Sequence, residues 1–276
     1  MTAIDTVATC DRQTTRSRRA TQTMVWAMIA WGLSTVANKL CLDRTHMRPM
    51  SLQAIQISVS VAVLILITVV RRNPTPTHQE WREGRVGILE PGASYTLALV
   101  GLSMTAATHA SIIGALEPSL VVLLAWLLLH ERVSSATCAL MALTLLGSVL
   151  VVTNTTAANG PASGSGDGLL TASVVCAAAY IMFSSRRAQN VSATTTLLTQ
   201  QRWAIVIIGP ALGVSVTLGG FGPTPIGTGW FYVLTSMALS YLIPFGLYLT
   251  SARRFHHSSQ HNCSRSSHSR ASAAQP

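Results

Sequence analysis

Two acid–proline pairs, Glu90-Pro91 and Glu117-Pro118, interrupt stretches of sequence that otherwise carry almost no charge. A carboxylate in such surroundings is costly unless it is paired, protonated or facing water, so it stands as a functional candidate. The proline beside it cannot donate a backbone hydrogen bond, and at position 118 it deprives the Gly114 carbonyl of its helical partner. A kink, a free carbonyl and an acid together make Glu117 and Pro118 a candidate substrate or proton site. The alternative for Glu117 is a structural acid bonded to a neighbouring helix. Glu90 sits nearer the end of its run, where a side chain can reach the interface, and the structural reading suits it better. Gln53 and Gln56 are three residues apart and share one helical face, suited to cavity lining or to bonds between helices. Trp31, Ser34, Asn38, Tyr95, Tyr180 and Tyr241 complete the candidates, although Trp and Tyr in such runs also serve as packing or interfacial anchors. His109 falls at a short turn and reads as a cap.

Other chemistry finds little support. The chain has no Gly-x-Ser-x-Gly and no His-Glu-x-x-His, so neither a serine-hydrolase elbow nor a zinc-protease helix is present. Cys10, Cys41, Cys138, Cys176 and Cys263 are widely spread and form no Cys-x-x-Cys pair, which leaves no zinc knuckle or disulfide framework in view. Four His and Cys263 crowd the segment from His256 to His268, but their spacing matches no metal site. No cofactor and no metal are expected, and an intramembrane enzyme is disfavoured.

The elements that must position these residues follow from composition. Of 276 residues, 49% are hydrophobic and only 10% charged, against about 25% charged in a soluble domain. A bilayer-spanning helix needs about 20 mostly apolar residues. Eight runs qualify, roughly 24–42, 51–70, 86–104, 111–129, 135–153, 169–185, 203–219 and 230–250, with only Lys39, Glu90 and Glu117 charged inside them. The expected fold is an all-α membrane protein, a polytopic helical bundle.

Charge sets its orientation. The formal net charge is +10, with 19 Lys+Arg against 9 Asp+Glu. With the N-terminus inside and eight crossings, 16 of these cations fall in inner segments and three, Lys39, Arg44 and Arg48, in outer ones. The positive-inside rule selects that arrangement. It also disposes of nucleic acid as a partner, since the arginines become topology anchors with a secondary attraction to anionic lipid. The expected partners are the lipid bilayer of the cell membrane and an unknown small-molecule substrate; the oligomeric state is not legible.

The chain also resembles itself at an offset of 146. Ser94-Tyr95 falls on Ser240-Tyr241, Leu52 on Leu198, and the first run on 169–185. The organisation expected is a cytoplasmic tail (1–23), a five-helix repeat (24–153), an external linker (154–168), a three-helix partial repeat (169–252) and a polar cytoplasmic tail (253–276). Five crossings are an odd number, so the second copy enters from the opposite side as an inverted repeat, a common construction in secondary transporters. The fourth run should recur near 257–275, where the polar tail stands instead, so the second copy is expected to be incomplete, eight helices of an anticipated ten.

Trp31-Gly32-Leu33-Ser34-Thr35 with Asn38-Lys39, Ala106-Ala107-Thr108-His109-Ala110-Ser111 leading to Leu116-Glu117-Pro118, and Leu127-Leu128-Leu129-His130-Glu131-Arg132 resemble the first and fourth helices of the EamA family of the drug/metabolite transporter superfamily. Gly147-Ser148-Val149-Leu150 and Ala177-Ala178-Ala179-Tyr180 resemble its fifth helix and the start of its second copy. The resemblance implies a five-plus-five-helix permease for small metabolites or drugs, often an exporter, working by alternating access. The departure after residue 252 makes a non-transporting membrane remnant the alternative. The topology carries a direct test. Single cysteines placed at Ser163, Arg85 and Arg254 of a cysteine-free chain should react with an impermeant external reagent at Ser163 only. External labelling at Arg254 would contradict eight crossings with both termini inside.

Overall fold

The computed structural model describes residues 3–72, 74–130, 133–155, 164–184 and 192–251. All regular structure among them is helical. Seven helices are long and apolar enough to cross a membrane. The first is α1 (Ala3–Thr45), whose apolar part is Ala20–Thr45. It is followed by α2 (Pro49–Val70), α3 (His78–Met104), α4 (Ala107–Leu128), α6 (Gly164–Ser184), α7 (Ala193–Gly219) and α8 (Gly229–Ser251). The remaining run lies on α5 (Ser135–Thr155), whose apolar stretch Ser135–Gly147 is shorter than a span. The polytopic all-α class expected from the sequence is the observed one. Most of the external linker and all of the C-terminal tail fall outside the described residues.

Local chemistry fixes several helix starts. Pro49 opens α2 behind Arg48, which is extended at φ −70°, ψ 142°; proline suits the first turn because the amide it lacks would be unpaired there. Thr77 and Glu80 form a reciprocal capping box on α3, and the Ser192 hydroxyl accepts from the Thr195 amide at the head of α7. Each such cap satisfies donors that the first turn of a helix otherwise leaves unpaired.

Packing follows the offset of 146. Helix α3 lies along α6, and the equivalent pair, α8 and α1, also pack together; α2 lies against its own counterpart α7. Helix α4 covers α6, whereas on α1 the described second copy offers no helix in the equivalent place. There α1 keeps Val25, Trp26, Ile29, Leu33 and Val36 exposed, surface that lipid covers without a polar penalty.

Contacts sort the helix ends into two sides. Arg48 donates to the Ser215 carbonyl at 3.3 Å, Ser51 bonds the Phe221 carbonyl, and Lys39 reaches the Leu102 carbonyl at 3.3 Å. Thr105 and His109 hold Asp167 at 3.0 and 3.3 Å. These residues share one end of the bundle. At the other end the Arg85 guanidinium lies 5.5 Å over the Trp203 ring and that of Arg202 lies 4.9 Å over Trp81. The Trp203 indole donates to the Trp81 carbonyl at 2.7 Å. Successive connections among these helices thus fall on alternate ends of the bundle.

The α3–α7 crossing beside that cluster depends on glycine. A Cβ on Gly87 would overlap the Gln200 carbonyl oxygen, and one on Gly84 would lie 2.7 Å from the Thr199 side chain. Backbones approach this closely in membranes only where side chains are minimal. Gly87→Ala should therefore destabilise the fold by about 1–3 kcal/mol, the usual cost of overpacking, while Gly32→Ala, with nothing within 4 Å, should not. Thermal unfolding in detergent measures both, and an unchanged Gly87→Ala melting point would refute the close crossing.

Candidate functional site

Both acid–proline pairs sit at breaks in their helices. In α3 the backbone at Glu90 leaves the helical region, at φ −144°, ψ 126°. In α4 the helix stops at Gly114, turns through Ala115 and Leu116, and restarts with Glu117 in its first turn. An acid there suits the positive end of the restarted segment, and the missing amide of Pro118 accounts for the interruption. Helix α8 loosens at the matching place, with a wide turn over Ala238–Leu242 just before Pro244.

The placement of Glu90 corrects the sequence reading. Helix α3 begins at His78 rather than at the apolar residues near 86, so Glu90 lies roughly 18 Å along it at 1.5 Å per residue. It is 5% exposed and does not reach the interface. It interacts electrostatically with Glu117, and both carboxyls lie within electrostatic reach of Tyr95 and Tyr248. Tyr180 and Cys176 of α6 also neighbour Glu90.

Aromatic rings wall the same region. Trp31 packs edge-on to Phe245, centroids 5.3 Å apart, and tilts against Tyr248 at 5.8 Å. Tyr95 meets Tyr241 edge-on at 5.1 Å, so the two tyrosines equivalent at the offset of 146 touch each other. Tyr180 packs on Phe245 at 6.1 Å. Edge-on and tilted pairs are the arrangements that the ring quadrupole favours. The Trp31 indole donates to the Tyr95 hydroxyl at 2.8 Å, which donates in turn to the Ser240 carbonyl at 2.8 Å.

A second network lies beside it. The Gln56 amide donates to Asn38 at 2.9 Å and to Ser236 at 2.7 Å, and Asn38 donates to the Ser240 hydroxyl at 3.0 Å. These bonds tie α1, α2 and α8 together. Tyr180 donates to Gln200 at 3.1 Å. Gln53 is different: fully buried, it approaches the Tyr241 hydroxyl closely enough for a weak interaction, but neither group reaches good hydrogen-bond geometry with any described residue. The Gln201 side-chain oxygen and the Ser119 hydroxyl are likewise unpartnered.

Nine of the ten candidates therefore lie in or beside one interior region. Ser34 is buried but bonds only the Trp31 carbonyl of its own helix. Pro118 stands apart, for it is exposed on the outer face of α4 and its part is confined to breaking the helix. His109 is a tie to Asp167 at one end of the bundle rather than a simple cap. Among the described residues no group of His, Cys, Asp and Glu could hold a metal; the histidine-rich tail lies outside them.

Sequence reasoning missed Phe245, Tyr248, Ser236, Ser240, Gln200 and Gln201, and undervalued Glu90. The internal repeat carried part of the signal, since Ser240 is the counterpart of Ser94 and Gln200-Gln201 fall opposite the Gln53–Gln56 segment. Tyr248 lies seven residues after Tyr241, on the same helical face.

The two glutamines of α2 separate bonding from lining. Gln56→Leu removes two bonds worth about 0.6 kcal/mol each in membrane proteins, so a loss near 1 kcal/mol is expected. Gln53→Leu removes at most the weak approach to Tyr241 and should leave thermal stability nearly unchanged. Equal losses in detergent unfolding would show that Gln53 is bonded after all.

The fold and these contacts can be set against known proteins. A solved crystal structure titled only as that of a protein superposes with a TM-score of 0.61, covering 85% of this chain and 79% of that one at 20% identity. That likeness concerns the fold alone. No curated protein matches the chain. Residues 20–153, from the apolar part of α1 to near the end of α5, match the EamA-like transporter family. The chain thus carries an EamA-like transporter domain over residues 20–153, which marks it as a membrane protein of the drug/metabolite transporter superfamily.

Proposed function

We propose that the protein is a permease for small metabolites or drugs, not an enzyme, and that the region between Glu90, Glu117 and the aromatic rings is its substrate site. The observation that carries this reading is the coincidence of two helix breaks with two interior acids, Glu90 buried and Glu117 half-buried, where packed helices meet. Transporters of repeat architecture place their sites where discontinuous helices meet at the repeat interface. Interior carboxyls are retained there in spite of their cost because they bind ions or relay protons.

The mechanism proposed is alternating access. One half of the bundle rocks against the other about the contact of Tyr95 with Tyr241, the pair on the offset axis. Opening toward the cytoplasm requires the α3–α7 ends to part, breaking the contacts of Arg85 with Trp203 and of Arg202 with Trp81. Opening outward requires Asp167 to release Thr105 and His109. The cell membrane is the proposed location, with both termini cytoplasmic, on the strength of the 16-to-3 division of cations.

Glu117 is proposed to exchange a proton during the cycle. Glutamine keeps the shape and much of the hydrogen bonding of glutamate but cannot titrate. In proteoliposomes, Glu117→Gln should abolish uptake driven by a pH gradient while expression and melting point are preserved. Unchanged pH dependence would return Glu117 to a structural role, and absence of saturable flux from the wild-type chain for any small molecule would favour a non-transporting membrane protein.

A further inference from the structure

We propose that the crossed arginine–tryptophan cluster at the cytoplasmic end of α3 and α7 is a binding site for the headgroup phosphate of an anionic phospholipid. The site lies apart from Glu90 and Glu117 and does not depend on how that interior region is read. Trp81 and Arg85 stand four residues apart on α3 and share a face, and Arg202 and Trp203 are adjacent on α7. Each arginine lies over the ring of the other helix, Arg85 at 5.5 Å from the Trp203 centroid and Arg202 at 4.9 Å from that of Trp81. The Trp203 indole is fixed by the Trp81 carbonyl at 2.7 Å, and Gly84 and Gly87 let the two backbones close on each other. A guanidinium held over a ring is positioned without a carboxylate, so its charge is not cancelled.

No acid answers these charges. The ion pairs among the described residues, Lys39 with Asp43 and His109 with Asp167, involve neither arginine. The acids at that end of α3 are engaged elsewhere: Glu80 accepts from the Thr77 amide at 2.6 Å and its hydroxyl at 2.9 Å, and Glu83 accepts from Gln79 at 3.0 Å. Arg82, Arg85 and Arg202 are all exposed. Along the face of α7 that carries Arg202 follow Val206 and Gly209, four and seven residues on, both exposed, with exposed Ile205 beside them. A Cβ on Gly209 would meet nothing within 4 Å. Fixed positive charge at headgroup level with bare apolar surface directly beneath it suits both halves of an anionic phospholipid, whereas a soluble phosphate uses only the first. Guanidinium matches phosphate with paired hydrogen bonds. The two arginines belong to different helices, so a phosphate bound by both ties α3 to α7.

The test uses the full chain in a neutral maltoside detergent, with phosphatidylglycerol, phosphatidylcholine of the same acyl chains, and inorganic phosphate as separate additions. Native mass spectrometry counts bound lipid, and thermal unfolding reads the stabilisation that binding to the folded state must bring. On the wild-type chain, phosphatidylglycerol should bind saturably, about tenfold or more tighter than phosphatidylcholine, and raise the melting temperature, while inorganic phosphate does not. Arg85→Gln with Arg202→Gln should weaken phosphatidylglycerol about tenfold or more, where each tenfold is about 1.4 kcal/mol. Arg71→Gln with Arg72→Gln, which removes two exposed cations after α2 on the same side, should not. Equal losses in the two double variants would reduce the cluster to diffuse charge and overturn the site. Equal affinity for the two lipids would overturn the assignment on the wild-type chain alone, whether or not a variant folds. Stabilisation by inorganic phosphate equal to that by phosphatidylglycerol would give the site to a soluble anion and overturn the lipid partner.

Discussion

Two carboxyls with no basic partner among the described residues, inside a membrane-crossing bundle, are the constraint around which the rest of this structure is arranged. The cost of an interior charge is of order several kcal/mol, too large to be carried by accident in a chain whose charged fraction is only 10%. Both acids stand at helix breaks and share tyrosine neighbours from α3 and α8. Broken backbone and buried acids need polar surroundings, and only the junction of several helices can supply them away from lipid. The packing of α3 on α6 and of α1 on α8 creates that junction.

We read the offset of 146 as an internal repeat, which accounts for how one sequence builds it. Equivalent elements make equivalent contacts, and the residues at the centre, Tyr95 and Tyr241, touch each other. Around that centre the two copies have diverged in chemistry. The first supplies both acids and Trp31; the second supplies Tyr180, Phe245, Tyr248 and the serines that anchor the Gln56–Asn38 network. The ends are also unlike, since paired arginines and tryptophans bind α3 to α7 at one side, whereas at the other a threonine and a histidine tie the α3–α4 turn to Asp167 of α6.

Much of the fold was legible because a bilayer imposes one dominant demand, that each crossing be long and apolar. The break in α4 was legible too, since Glu117-Pro118 states it in residue types. The site was harder to read. Runs apolar on all sides have no face that periodicity can mark, so nothing local distinguishes inward Phe245 or Tyr248 from outward Trp26 and Phe231. Glu90 was misplaced because the polar segment from His78 to Arg85 is helical, which an apolar window ends too early. Pro118 was named for the right reason and the wrong direction: it breaks the helix and faces outward. Gln53 and Gln56 looked alike three residues apart, and tertiary context alone gives one of them two well-formed bonds and the other only a weak approach to Tyr241.

The account stands on Glu90 and Glu117 sharing one site, and infrared difference spectroscopy of the carboxyl stretch reads that directly. The protein is titrated in lipid, and the Glu117 band is assigned by its loss in Glu117→Gln. If the acids share a site they titrate as a coupled pair, and Glu90→Gln should move the Glu117 midpoint. A Glu117 midpoint indifferent to Glu90→Gln would separate the two carboxyls and contradict the account at its centre.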